Sequence, residues 1–127
     1  PFAHISNEEL VDYLTHPAPQ LRGNYPHTLG VWEGVFGRQQ IFTAFFEEIA
    51  DSPKELYIRL LNYLGISSNE KYLPDGLERK VNVSKVPEAE TMPTAIRDCL
   101  NELYRQDLEW LAKRFGGYAS KWLSEAS

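Results

Sequence analysis

Residues 39–65, QQIFTAFFEEIADSPKELYIRLLNYLG, decide the fold that the sequence predicts. Residues 41–46 of this stretch form a short apolar run, rich in aromatic side chains and without polar alternation. Such a run is typical of a strand that is covered on both faces, as in a parallel sheet. We therefore expect one β-strand at about residues 40–46.

The second half of the same stretch predicts an amphipathic helix with marked ends. Ser52 is placed to cap it, Pro53 suits the first helical position, and Glu55 would complete a capping box. Gly65 supplies a left-handed stop. The leucines of its apolar stripe are Leu56, Leu60, Leu61 and Leu64. A buried strand followed by a capped helix is half of a βαβ unit, which predicts an α/β fold.

Composition sets the limits for the class of protein. The chain has 127 residues, fits one domain, and contains 13% aromatic residues, which suits a packed interior. A net charge of −5 argues against a general nucleic-acid or anionic-membrane binder. The single cysteine, Cys99, excludes an internal disulfide and favours a reducing, cytoplasmic location. No apolar run approaches the ~20 residues of a membrane-spanning helix, so no membrane partner is expected.

The remaining helices are predicted from caps and stripes. Ser6 and Glu9 form a capping box for a short helix that ends before a predicted turn or surface linker at residues 17–19. A second helix is predicted over residues 24–36, ended by Gly37. A long helix opens at Pro93 and stops at residues 116–117, and a last short helix carries Tyr118 and Trp122. The apolar stripe of the long helix consists of Ile96, Leu100, Leu103, Tyr104, Leu108, Leu111 and Phe115.

The order of these features resembles the C-terminal half of the sulfotransferase family, over about residues 20 to 123. The resemblance begins with the segment before the predicted strand, then follows the strand-to-helix turn, and ends with a closing segment. The matching positions are Gly23, Tyr25, Leu29, Trp32, Phe36, Gln40 and Ile41, then Phe46-Glu47-Glu48-Ile49, Asp51-Ser52-Pro53 and Tyr63-Leu64-Gly65, then Val81, Asn82, Ser84, Met92, Pro93, Arg97, Leu100 and Tyr104.

The resemblance implies a predominantly helical C-terminal part of a P-loop-like sulfotransferase fold. The implied activity moves sulfate from 3′-phosphoadenosine 5′-phosphosulfate to a hydroxyl or amine of a small-molecule or glycan acceptor. The Gly-, Ser- and Thr-rich phosphosulfate loop with which the family begins is not in this sequence. Residues 1–127 are therefore interpreted as one partial domain, inactive alone, whose partner is an N-terminal half or another subunit, with a homo-oligomer as a further possibility.

Basic and polar side chains in residues 79–85 are the candidates for contacting the nucleotide. In the family a loop at this place wraps the nucleotide of the sulfate donor. Lys and Arg neutralise phosphate charge, and exposed amides of an irregular loop can cradle it. A solvated surface loop is the alternative interpretation. The candidates are Arg79, Lys80, Asn82, Ser84 and Lys85.

Candidates for the acceptor side lie at the start of the helix over residues 24–36. Tyr25, His27 and Thr28 are assigned to substrate binding, and His27 is a weak candidate for the catalytic base because only His titrates near neutrality without help. A lone His beside a proline is also common on surfaces. The aromatic residues of this helix either stack an acceptor or pack a core.

For the remaining candidates a structural role is a better interpretation than a functional one. Glu47 and Glu48 form a carboxylate pair, but negative charge just before a helix is favourable in itself. Cys99 is expected to be a buried, inert thiol. No metal site is predicted, because no His or Cys cluster has ligand spacing. A different class of function stays open: a non-enzymatic helical interaction module whose apolar stripes pack against a partner chain.

Overall fold

The protein is described by a computed structural model over residues 5–69, 71, 73–79 and 92–126. Within these ranges the chain forms helices, and none of these residues belongs to a β-strand. In chain order the helices are α1 (Asn7–Thr15), α2 (Pro17–Gly23), α3 (Tyr25–Phe36), a 3₁₀ turn (Arg38–Gln40), α4 (Phe46–Asp51), α5 (Pro53–Tyr63), α6 (Thr94–Phe115) and α7 (Gly117–Glu125).

The strand predicted at about residues 40–46 does not form, so the prediction of an α/β fold is wrong. Gln40 belongs to the 3₁₀ turn and Phe46 begins α4. Ile41 and Phe45 have extended backbone angles, but residues 41–45 pair with no other described segment. An apolar run without alternation does not by itself separate a strand from a helix. A strand also requires a neighbour for its backbone hydrogen bonds, and the described residues provide none.

The helix predicted after this run is present as α5, with one difference at its start. Pro53 is its first residue, but the Ser52 side chain makes no capping hydrogen bond, so the predicted capping box is absent. The end is as expected. Gly65 has a φ of +68°, and the amide of Ile66 donates to the carbonyl of Leu61 at 2.9 Å, which closes the last turn.

The N-terminal capping box is confirmed. The Glu9 amide donates to Ser6 Oγ at 3.2 Å, and the Ser6 amide donates to Glu9 Oε2 at 2.8 Å. The turn predicted at residues 17–19 is wrong, because these residues begin α2. Prolines fit the first turn of a helix, since the amides there have no partner within the helix.

The later helices follow the predictions closely. The helix predicted over residues 24–36 is α3, and Pro93 immediately precedes α6. Gly116, with a φ of +64°, separates α6 from α7. This conformation is easy for glycine and strained for other residues, so the sequence fixes the break between the two helices.

The chain divides into two compact units. Unit 1 comprises Pro1–Val35 and Glu88–Ser127, and unit 2 comprises Phe36–Pro87. In unit 1, α6 packs against α7 and α1, and among the described residues of this unit the buried apolar side chains are Ile96, Leu111 and Ala119. In unit 2, α4 packs against α5.

Candidate functional site

Most residues predicted to contact the nucleotide cannot be placed. Lys80, Asn82, Ser84 and Lys85 lie outside the described residues. Arg79 is exposed, and its amide donates to the carbonyl of Gly76 at 2.9 Å, which closes a turn. The assignment of these residues to the sulfate donor stays a prediction.

The three residues assigned to the acceptor lie on the first turn of α3, where Asn24 caps the helix. Asn24 Oδ1 accepts from the His27 amide at 2.9 Å, and Thr28 Oγ1 donates to the Asn24 carbonyl at 3.0 Å. The Thr28 hydroxyl is thus used in the helix start, and the His27 side chain is exposed. Tyr25 lines a concave surface together with residues of α2, α6 and α7.

That surface is an apolar concavity of about 340 Å³ in unit 1. The end of α2, the start of α3, the middle of α6 and one side chain of α7 form its wall. The residues of α6 are spaced at helical intervals, which places them on one face of that helix. The lining residues are Gly23, Tyr25, Leu100, Asn101, Tyr104, Asp107, Leu108, Leu111 and Trp122.

A second, more polar concavity of about 530 Å³ has two lining residues in common with the apolar one. The common residues are Tyr104 and Asp107, so the two concavities border each other along α6. Amide and carboxylate side chains provide hydrogen-bonding groups in the polar one. Its lining residues are Thr15, Gln20, Asn24, Cys99, Glu102, Leu103, Tyr104, Gln106 and Asp107.

Tyr104 lies where the two concavities meet, and the absence of a side chain at Gly23 leaves room for its ring. A Cβ atom at position 23 would lie 2.5 Å from the Tyr104 hydroxyl and 2.7 Å from its ring. The hydroxyl donates to the carbonyl of Pro19 at 3.5 Å. Gly23 was noticed in the sequence only as part of the resemblance, and its role here is close contact with an aromatic ring.

Asp107 is the carboxylate shared by the two concavities. Its side chain is half-buried, and burial raises the pKa of this carboxyl above its ordinary value. Among the residues that the structure describes, none forms a hydrogen bond or an ion pair with Asp107. The sequence reasoning missed this residue. The available signal was an acid placed three residues after Tyr104 and four before Leu111, inside the apolar stripe of α6.

In unit 2 the polar centre is formed by Glu48 and Arg59. Glu48 is 8% exposed, accepts from the Phe45 amide at 2.7 Å, and pairs with the Arg59 guanidinium. Burial alone would raise the pKa of Glu48, but the Phe45 amide and the nearby guanidinium hold it below its ordinary value. Since Glu48 is committed to these contacts, the structural interpretation of the carboxylate pair is favoured over a catalytic one.

Arg59 also contacts the segment of residues 41–45. Its guanidinium donates to the Thr43 carbonyl at 3.3 Å and lies 5.6 Å from the centre of the Phe42 ring. The Phe42 ring in turn lies 5.3 Å from the ring of Tyr63. One cation thus fixes both the start of α4 and the segment before it.

Comparison of the chain with protein-family models, with curated proteins and with solved structures gives no match. In the part of the chain that the structure describes, no three His, Cys, Asp or Glu side chains come together as a metal site would require. No described helix is long and apolar enough to cross a membrane.

Proposed function

We propose that this chain is part of a sulfotransferase that uses 3′-phosphoadenosine 5′-phosphosulfate and transfers sulfate to a hydroxyl or amine. In this proposal residues 79–85 cover the nucleotide, and the concavity of unit 1 is one wall of the acceptor pocket. The observation that carries the proposal is the position of Tyr25. It was assigned to the acceptor from the resemblance, and it lines an apolar concavity of about 340 Å³.

The positions of the helices give further support. α2 ends at Gly23, and α3 begins at Tyr25 and carries Leu29 and Trp32. α5 runs from Pro53 to Tyr63, with Gly65 two residues beyond its end. These are the places where the resemblance expects helices. The phosphosulfate loop is assigned to residues outside this sequence, and His27 is a weak candidate for the catalytic base, so the 127-residue chain alone is expected to be inactive.

The test uses the full open reading frame that contains this sequence. Adenosine 3′,5′-bisphosphate at about 100 times its dissociation constant should stabilise the full-length protein by about 2.7 kcal/mol. Differential scanning fluorimetry would show this as a melting temperature raised by several degrees. Lys80→Ala and Lys85→Ala should each weaken the effect, because each removes a cation from the phosphates.

Lys113→Ala is the matched control, since Lys113 is an exposed lysine on α6. Its nucleotide response should equal that of the wild type. An upstream sequence without a phosphosulfate loop, or a full-length protein that the nucleotide does not stabilise, would contradict the proposal. Sulfate transfer by the 127-residue chain would contradict the expectation that it is inactive alone.

A second candidate, a non-enzymatic helical interaction module, is favoured by one specific observation. Large apolar side chains are exposed in both units, among them Val35 at 70% and Phe46 at 82%. Exposed apolar side chains that form a patch are typical of a surface that binds another protein. Light scattering over a range of concentrations tests self-association, which Phe46→Ser should weaken if this residue lies in the interface.

A further inference from the structure

We infer that the paired concavities of unit 1 bind a small organic cation: an ammonium group at Asp107, carried on an apolar body that fills the apolar side. This inference names the chemical class of the bound molecule. Calling that molecule the sulfate acceptor rests on the proposed function, whereas its binding does not.

The first argument is the uncompensated charge of Asp107. A half-buried carboxylate normally has a cation or hydrogen-bond donors beside it, because burial without them is costly. Among the described residues Asp107 has no such partner. A ligand ammonium would provide both the opposite charge and N–H donors.

The second argument is the sign of the charge around the site. Glu102 lines the polar concavity together with Asp107, and no lysine or arginine is among the described residues that line either concavity. A cleft whose charged groups are all acidic favours cations and disfavours anions. The negatively charged nucleotide is therefore not the ligand for this place.

The third argument is the character of the wall next to Asp107. Tyr25, Tyr104 and Trp122 contribute aromatic rings to the apolar concavity, and Leu108 and Leu111 contribute aliphatic groups. Aromatic faces attract ammonium groups, and aliphatic side chains bury an uncharged body. A carboxylate between a polar and an apolar concavity therefore fits a molecule with one cationic end and one apolar end.

The experiment titrates the 127-residue protein with three probes of nearly the same shape and different charge: 2-phenylethylammonium, 2-phenylethanol and 3-phenylpropionate. Two-dimensional NMR of the ¹⁵N-labelled protein follows the indole N–H of Trp122 and the amides of α6 around Asp107. We expect the ammonium to shift these signals and to bind at least about tenfold more tightly than the alcohol. The carboxylate should have the lowest affinity of the three.

Asp107→Asn keeps the size of the side chain and removes its charge. It should weaken binding of the ammonium by about tenfold and leave binding of the alcohol unchanged. Asp98→Asn is the matched control, because Asp98 is exposed on the same helix and lines neither concavity. It should bind all three probes as the wild type does.

Equal affinity for the ammonium and the alcohol, tighter binding of the carboxylate, equal loss in the two variants, or no shift near Trp122 would each overturn the inference. The far-ultraviolet circular dichroism of each variant separates loss of binding from loss of fold. The nucleotide experiment on the full-length protein is independent of this one, so either proposal can fail without the other.

Discussion

The two units of this chain are centred on different kinds of contact. In the described part of unit 1 the buried side chains are apolar: Ile96, Leu111 and Ala119 are each less than 7% exposed. In the described part of unit 2 the buried side chain is a charged one, Glu48. Unit 1 thus has a small hydrophobic core, whereas unit 2 is centred on an ion pair.

Each unit also contains an arginine–glutamate pair beside aromatic rings, which makes the comparison closer. In unit 1, Arg114 pairs with Glu33 and lies 4.9 Å from the centre of the Trp110 ring. In unit 2, Arg59 pairs with Glu48 and lies 5.6 Å from the centre of the Phe42 ring. In unit 1 the pair accompanies buried apolar side chains, whereas in the described part of unit 2 the buried side chain belongs to the pair itself.

The difference bears on how each unit is stabilised. Burying apolar surface contributes roughly 25 cal/mol per Å². The net contribution of an ion pair to the free energy of folding is small, because removing two charges from water offsets most of their attraction. Exposed apolar groups of unit 2, such as Phe46 and Ile49, are available for burial against another chain. Unit 1 also exposes apolar side chains, such as Val35, but it has buried apolar side chains of its own, so we expect unit 2 to depend more on such a partner.

The largest expected effect is that of Leu111→Ala. Leu111 is 5% exposed and belongs to the core of unit 1. The substitution should lower the free energy of unfolding by about 2–5 kcal/mol, because it removes buried methyl groups and leaves a cavity. Urea unfolding followed by far-ultraviolet circular dichroism measures the change.

Leu64→Ala makes the same chemical change in unit 2, where Leu64 is 55% exposed. The substitution should change the free energy of unfolding by no more than about 0.5 kcal/mol. A loss as large as that of Leu111→Ala would show that unit 2 has a hydrophobic core of its own, and the comparison would break.

Gly23→Ala tests the close packing of unit 1. The new methyl group would meet the Tyr104 hydroxyl at 2.5 Å and the Tyr104 ring at 2.7 Å, so either this side chain or α2 must move. We expect a loss of about 1–3 kcal/mol in the free energy of unfolding. Gly30→Ala is the control, since a Cβ there meets no atom within 4 Å. It should stabilise α3 by about 0.5–1 kcal/mol, and a loss like that of Gly23→Ala would disprove the steric explanation.

Arg59→Met tests the polar centre of unit 2. The variant keeps an unbranched apolar side chain beside Phe42 but leaves the Glu48 carboxylate without its guanidinium. Because the Arg59 side chain is 50% exposed, solvent screens the pair, and we expect a loss of about 1–2 kcal/mol.

Arg38→Met removes an exposed arginine of the same unit and should change stability by less than about 0.5 kcal/mol. Hydrogen exchange measured by mass spectrometry locates the effect. Faster exchange in α4 and α5 is expected for Arg59→Met, and equal exchange in the two variants would refute the role given to the pair.

The sequence predicted helices well where local signals mark their ends. The Ser6–Glu9 box, Pro53, Gly65 and Gly116 act within a few residues of themselves, so their effects depend little on the rest of the fold. Local signals are still not sufficient, because the box predicted at Ser52 and Glu55 did not form. The predicted strand failed for the opposite reason. Strand formation depends on a distant partner, and the aromatic run at residues 41–46 carries no information about whether one is present.

The candidate site was predictable only in part. Tyr25 was identified by resemblance, but the groups around it come from α6 and α7, far away in the sequence. Asp107 was overlooked because charged residues on a long helix usually face solvent. Its position within the apolar stripe of α6 was the one local signal that it lies among packed side chains.

The smallest expected effect is a difference in pH dependence, and it has opposite signs in the two units. The pKa of Glu48 is held below its ordinary value, so the stability that this carboxylate contributes is present above that value and is lost as the pH falls through its folded pKa. The pKa of Asp107 is raised, so the folded state keeps this proton longer than the unfolded state, and stability falls as the pH rises through its folded pKa.

Glu48→Gln should therefore be most destabilising near neutral pH and converge with the wild type in acid. Asp107→Asn should match the wild type in acid and become the more stable protein toward neutral pH. Urea unfolding at closely spaced values between about pH 3 and 7 covers the range in which carboxyl groups titrate. If the difference in free energy of unfolding from the wild type changed with pH in the same direction for both variants, the two carboxylates would be in similar surroundings. The contrast between a paired and an unpaired carboxylate would then not hold.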